Sequence, residues 1–415
     1  MTGAPSPTVP HYDPTDPAVQ ADPYPLYRTL RETDPVHWNP PGFWFLTRHA
    51  DVHTLLRDPR LGADNGGGNG GGNGGANRGG TASDGGGEAH TERMAGGDTP
   101  SMILMDPPGH TRLRALVNKV FTPRSIAYLH ERIERITDRL LDDWGTGEGD
   151  FVADFAYPLP LAVICEMLGV PEADRDDVRD WSEDMAHLVD PVVTPETVAR
   201  GLRGRRRIVA YFRDLVAERR RAPGEDILSG LIRAETEGDR LSSDELLSTA
   251  ALLVVAGHET TANMIANGML ALLRHPDQLE LLRSSGPDLV PPAVEEMLRY
   301  DGPAQAVGRR ALTDLDLHGV RVPRGARLVL SLGAANRDPE RFPDPDRFDI
   351  ARRDNRHLAL SGGAHFCVGA PLARMEATVA FTALLRRHPH LRLAAEPRWR
   401  ERTGLRGLRE LRVRL

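Results

Sequence analysis

The chain has 415 residues, 40% of them hydrophobic, which is enough to bury a sizeable core. Its 52 basic and 59 acidic residues leave a net charge of −7, which argues against wholesale nucleic-acid binding. Only two cysteines occur, Cys165 and Cys367, so no disulfide framework is available and a reducing, cytoplasmic setting is expected.

Residues 1–20 are rich in Pro, Thr and Asp and carry neither the basic nor the apolar region of an export signal. No run anywhere approaches the ~18 apolar residues of a membrane span. Asp22–Arg31 reads as a helix. Val36–Trp38 and Phe43–Leu46 read as short strands around a turn, and His49–Arg57 as a second helix. Residues 62–98 then hold 16 Gly in 37 positions, so they have almost nothing to bury. This predicts a disordered low-complexity loop inside one domain spanning residues 1–415. No Lys-Ser/Thr follows it, so it is not a phosphate loop.

Order is expected again from Ser101. After Asp106-Pro-Pro-Gly109, His110 and Arg114 fall on one helix face, because positions four apart align. Ser125–Trp144 is amphipathic. Phe155–Leu168 is apolar and makes Cys165 a small core hydrophobe. Asp174–Val189 and Pro195–Arg221 read as two more helices, the second with Arg200, Arg203, Arg205, Arg206 and Arg207 on a solvated face.

Ser242–Arg274 is the longest pattern, opening on the capping box Ser242-x-x-Glu245 and ended by His275-Pro276. Such a helix spans about 50 Å. Ala250–Gly257 is apolar all round and predicts burial, yet His258, Glu259, Thr260 and Thr261 follow at once. Polar groups inside a buried helix are costly unless they have partners. Gly257 removes a side chain where something flat could approach, and Thr260 can bond back to a preceding carbonyl. His258 reads as a hydrogen-bonded bystander.

Pro292–Tyr300 is a helix holding Glu296 and Arg299, and a β-rich stretch follows Arg309. The loop Leu360-Ser-Gly-Gly-Ala-His-Phe-Cys-Val-Gly369 then runs into an amphipathic helix at Met375–Arg386. Cys367 stands where loop becomes helix, facing the amides and positive dipole end that favour a thiolate. A thiolate held by amides, with no second Cys nearby, suits one soft metal bond such as an axial bond to haem iron.

These stretches, from Asp22 to Leu415, resemble the cytochrome P450 haem-thiolate monooxygenases. The family's loop reads Phe-Gly-x-Gly-x-His-x-Cys-x-Gly. Gly363, His365, Cys367 and Gly369 match it, while Leu360 and Ser361 replace the Phe and the first Gly. Ser361 should need a less strained backbone there than Gly would allow. Ala256-Gly-His-Glu-Thr-Thr261 matches the family's oxygen-activation motif throughout.

The resemblance implies a mainly α fold with small β-sheets, with haem b between the long central helix and the Cys loop. Cys367 would be the metal ligand, and Glu259 and Thr260 catalytic, the acid relaying protons and the alcohol holding water and oxygen. His110, Arg114, His365 and Arg309 (Arg310 being the alternative) would hold the haem propionates. Ala256, Gly257 and Gly369 would lie against the cofactor. Glu296 and Arg299 would form a buried structural pair with Arg341 or Arg347 as third partner. Val255, Gln305, Ala306 and Val307 would line the substrate pocket, roofed by the helices at 174–189 and 195–221.

The implied reaction inserts one atom of O2 into a small organic substrate, by hydroxylation or epoxidation, as a natural-product tailoring step. No Gly-x-Gly-x-x-Gly follows a strand, so electrons would come from a separate ferredoxin and its NAD(P)H reductase. Arg352, Arg353 and Arg356 could meet that acidic partner. A monomer is expected, without nucleic acid or membrane. A ring-coupling oxidase of the same fold would share every motif. A non-catalytic homologue would tend to lose the Cys or the Thr, and a peroxide-driven one would not need the acid-alcohol pair.

Overall fold

A computed structural model describes residues 10–40, 42–63, 101–121, 123–190, 194–236, 241–402 and 404–415. The principal helices are α1 (Tyr24–Thr33), α2 (His49–Leu55), α3 (Gly109–Val120), α4 (Pro123–Asp143), α5 (Pro158–Met167) and α6 (Arg175–Ala186). They continue as α7 (Pro195–Arg221), α8 (Ile227–Thr236), α9 (Ser243–Arg274), α10 (Pro276–Ser285), α11 (Val290–Asp301) and α12 (Ala370–Arg387). One five-stranded sheet is built from β1 (Val36–Asn39), β2 (Phe43–Leu46), β3 (Leu61–Ala63), β4 (Ala306–Ala311) and β5 (Arg327–Ser331), in the order β1-β2-β5-β4-β3. The β2–β5 pair is parallel and the others antiparallel.

Most of the loop expected at 62–98 lies outside the described residues, but Gly62 and Ala63 do not. They belong to β3 and pair with Arg310 and Arg309 of β4. Asp106 pins them there, because its Oδ1 accepts from Ala63 N at 2.8 Å. A Cβ on Gly62 would lie 2.7 Å from Asp106 Oδ2, so the close approach requires glycine.

The core is organised on α9. Its capping box forms as the sequence predicts. Ser242 Oγ accepts from Glu245 N at 3.1 Å, and Glu245 Oε2 accepts from Ser242 N at 2.8 Å. Glu245 also pairs with Arg112, tying α3 to the first turn of α9. Every residue from Leu246 to Leu272 is buried except Ala256, Gly257 and Thr260. Each large apolar side chain in that run stabilises by about 1.5–3 kcal/mol. Gly257 also packs against α5, where a Cβ would lie 3.0 Å from Ile164 Cδ1. On α7, Arg200, Arg203, Arg206 and Arg207 are exposed as expected, but Arg205 is buried.

A fully buried ion pair joins α11 to the segment before the Cys loop. Arg299 Nε and Nη2 donate to Glu296 Oε2 and Oε1 at 2.7 and 2.8 Å, with both side chains at 0% exposure. The third partner is neither Arg341 nor Arg347 but Arg352, whose Nε lies 3.2 Å from Glu296 Oε2. Arg347 contributes only its carbonyl to Arg299, and Arg341 pairs with Asp354. Asp349 N and Asn355 Nδ2 complete the shell of Glu296 at 2.9 and 3.1 Å. Arg352 is therefore spent internally and leaves the surface patch expected for a partner.

The Cys loop leans on the end of α2. Gly363 has φ +66°, and a Cβ there would drive into the Leu56 carbonyl. Ser361 also sits in the left-handed region, at φ +64°, and its Oγ is buried without a hydrogen-bond partner. The expectation of a relaxed backbone at this serine does not hold, because the turn demands the glycine conformation whatever residue occupies it.

Two outcomes follow. Ser361→Gly should stabilise the protein by about 1 kcal/mol in urea unfolding, since it removes the left-handed strain at little cost elsewhere. Arg299→Leu should cost about 3–5 kcal/mol because it removes the bidentate partner of a fully buried carboxylate, whereas Arg341→Ala should cost under about 1 kcal/mol.

Candidate active site

Cys367 is half-buried at the entry to α12. Its own N–H donates to the Leu360 carbonyl at 3.0 Å, which folds the loop back over the sulfur. The amides of Gly369 and Ala370 act on the thiol and favour its anion, as do the charges of Arg114 and Arg374. Burial outweighs them and pushes the thiol above its usual range, contrary to the thiolate expected from the helix terminus alone. The donor set suits a metal that supplies the missing charge, since a coordinating thiol is deprotonated outright. A Cβ on Gly369 would stand 4.0 Å from Cys367 Sγ, so glycine keeps that side of the sulfur open.

Beside the sulfur lies a cationic cluster drawn from α3, β4 and the Cys loop. Arg114 Nη2 donates to the Phe366 carbonyl at 2.6 Å, one residue from Cys367. His110 is buried, and its ring centroid lies 4.2 Å from that of His365. Burial lowers the His365 pKa to about 3, helped by Arg309, His110 and Arg114. Burial and Arg114 lower that of His110 as well. Burial first, and the positive groups beside them second, disfavour charge on both imidazoles, an environment that a bound carboxylate would relieve. Arg309 is the buried member of the Arg309–Arg310 pair and the one that acts on both histidines. Arg310 turns instead to the Gly325 carbonyl. Four residues named from sequence thus converge, and they fit the two propionates of a haem.

On α9 the polar residues divide between two sides. Thr260 Oγ1 donates to the Ala256 carbonyl at 2.7 Å and shares the accessible face with Ala256. Thr261 makes the same kind of bond to Gly257 O at 3.2 Å. His258 is buried against Tyr157, with Ser182 Oγ 3.4 Å from its Nδ1, and burial lowers its pKa to about 3. It is the bystander the sequence suggested.

Glu259 is 2% exposed and turns to a network that sequence reasoning missed. Arg402 Nη1 lies 3.0 Å from its Oε1, and Arg400 Nη1 is 3.7 Å away. Arg402 also pairs with Asp190 at 2.8 Å and donates to the Ala186 carbonyl at 2.9 Å. Arg400 approaches Glu183, whose Oε1 accepts from Tyr157 Oη at 2.6 Å. Burial raises the Glu259 pKa, with Arg402 and Arg400 pulling it back. Its Oε2 is buried without a partner. The one hint in the sequence was the Arg400-Glu-Arg402 run in an otherwise polar stretch.

Of the residues expected at the substrate, Val255 is buried on α9, while Ala306 and Val307 are half-buried on β4. Gln305 departs from the expectation. Its Nε2 donates to the Gly302 carbonyl at 2.7 Å and its amide packs on Gly333, so it locks a turn.

Comparison with known proteins identifies the family. The family model described as Cytochrome P450 matches residues 77–284 and 288–400. The cytochrome P450 monooxygenase PikC of Streptomyces venezuelae is 42% identical over 406 residues, 95% of this chain and 91% of that protein. The 6-deoxyerythronolide B hydroxylase of Saccharopolyspora erythraea is 40% identical over 402 residues, 94% of this chain and 96% of that one. The structure of Mycobacterium smegmatis CYP164A2 in its ligand-free state superposes with a TM-score of 0.87 at 39% identity, covering 97% and 98% of the two chains. The chain belongs to the cytochrome P450 family, whose members bind haem iron, and it is a monooxygenase.

Proposed function

We propose that this monooxygenase hydroxylates a small, largely apolar natural product, with haem b held by Cys367 and electrons delivered by a ferredoxin and its NAD(P)H reductase. The carrying observation is the junction at Arg114, which ties the carboxylate-seeking cluster to the residue next to the one candidate thiolate. His110, Arg114, Arg309 and His365 would seat the propionates, and Cys367 would be the axial ligand. When bound, the haem iron supplies oxygen activation.

The chain's own residues govern water and protons. Thr260 holds its hydroxyl at the accessible face of α9 through its bond to Ala256. Burial favours a protonated Glu259, and the unpartnered Oε2 is the atom that can give up a proton. Arg402 fixes Oε1, so delivery to Thr260 needs a water or a turn of the free oxygen. Leu246–Val255 and Thr261–Leu272 keep the flanking helix dry.

The PikC and 6-deoxyerythronolide B hydroxylase relatives support a tailoring role. No described helix is long and apolar enough to cross a membrane. With Arg352 committed to Glu296, Arg353 and Arg356 are left as the exposed arginines for a ferredoxin. We take the working unit to be one cytoplasmic chain forming a single domain.

The reduced protein with carbon monoxide should show the red-shifted Soret band that names the family, and Cys367→Ser should abolish it. A wild-type spectrum without that band would overturn the ligand assignment. Thr260→Ala should keep consuming reductant and oxygen while product formed per electron falls at least about tenfold. Measuring reductant use against product checks this, and unchanged coupling would remove Thr260 from the mechanism.

A further inference from the structure

Glu295 and Glu296 are neighbours on α11, but their carboxylates part. Glu296 takes the segment from Asp349 to Asn355, as described above. Glu295 turns to the Cys loop. Its Oε1 accepts from Arg374 Nε at 2.6 Å and its Oε2 from Arg374 Nη2 at 2.8 Å, a bidentate pair. The same Oε2 stands 3.2 Å from His357 Nε2. His357 Nδ1 accepts from the Ala359 amide at 3.2 Å, which places the ring hydrogen on Nε2 and aims it at Glu295. The His357 side chain is 3% exposed, so this bond lies inside the protein.

His357 precedes the Cys loop and Arg374 follows it. One carboxylate therefore clips both ends of residues 360–369 to α11. Burial resists ionisation of Glu295, yet Arg374 and His357 prevail and hold its carboxyl at about 2. Arg374 stands in the second turn of α12, the helix that begins directly after the Cys loop, so the clamp holds its guanidinium on the element that Cys367 leads into.

We propose that Glu295 is a positioning residue that holds the two ends of the Cys loop together and, by pairing with Arg374, sets how much positive charge the Cys367 sulfur feels. The proposal rests on Cys367 being the haem ligand. It assigns Arg374 to the sulfur rather than to a solvated face, since its guanidinium is engaged on two nitrogens by Glu295.

The test is the ferric–ferrous midpoint potential of the haem-loaded protein, with the carbon monoxide spectrum taken first. A wild-type protein lacking the red-shifted band overturns the ligand reading and the clamp with it. Given that band, Glu295→Gln leaves Arg374 uncompensated and should raise the potential. Arg374→Gln removes the cation and should lower it. Each shift should be roughly two- to tenfold in the reduction equilibrium constant, and the double variant should return close to wild type. Arg374→Lys, which keeps the charge, should restore most of the potential even if Glu295→Gln does not fold. A part that merely braces the loop would move both single variants the same way. Shifts of one sign, no shift, or no rescue by lysine overturn the proposal.

Discussion

A half-buried sulfur has to carry charge, and much of the proximal architecture answers that requirement. Burial alone pushes the Cys367 thiol towards its neutral form. Against it stand two backbone amides and two guanidiniums, each available only if the chain is folded in one particular way. The amides of Gly369 and Ala370 exist as donors because α12 begins there. The loop reaches them because Gly363 takes a left-handed conformation against the Leu56 carbonyl. Arg114 arrives from α3 and is fixed by the Phe366 carbonyl. None of these alone suffices, which is why a metal's own charge is the natural completion of the set.

The proximal side is held by α11, and the way it is held is economical. Two consecutive carboxylates, one fully buried and one partly exposed, organise the chain from Asp349 to Arg374. Glu296 is dry and answered by Arg299 and Arg352. Losing Arg299 would remove the bidentate half of that answer and leave Arg352 to balance a fully buried carboxylate by itself. Glu295 is wetter and takes an arginine beyond the Cys loop. The register of α11 thus fixes the register of the loop, because a rotation of the helix would swap which segment each carboxylate meets.

Much of this was legible in the sequence, and the reasons for the exceptions are physical. The capping box of α9, its polar break at His258–Thr261 and the alignment of His110 with Arg114 are short-range patterns, and helical geometry turns spacing into placement directly. The left-handed serine was misread because a residue name does not disclose φ. The contact of Gly257 with Ile164, from a helix about ninety positions earlier in the chain, has no local signal in the sequence. Arg352 was misassigned to the surface because a stretch of arginines says nothing about which one is turned inward. The partners of Glu259 come from the far end of the chain, at Arg400 and Arg402, and only folding shows them. Local chemistry could be read; the identity of whatever packs against it could not.

The hydroxyl of Thr260 already spends its hydrogen on the Ala256 carbonyl. An alcohol committed in this way presents only lone pairs to its surroundings. Whatever settles beside it must bring the hydrogen, so the face is polarised in one direction. It greets donors and repels bare acceptors for as long as that one bond is kept.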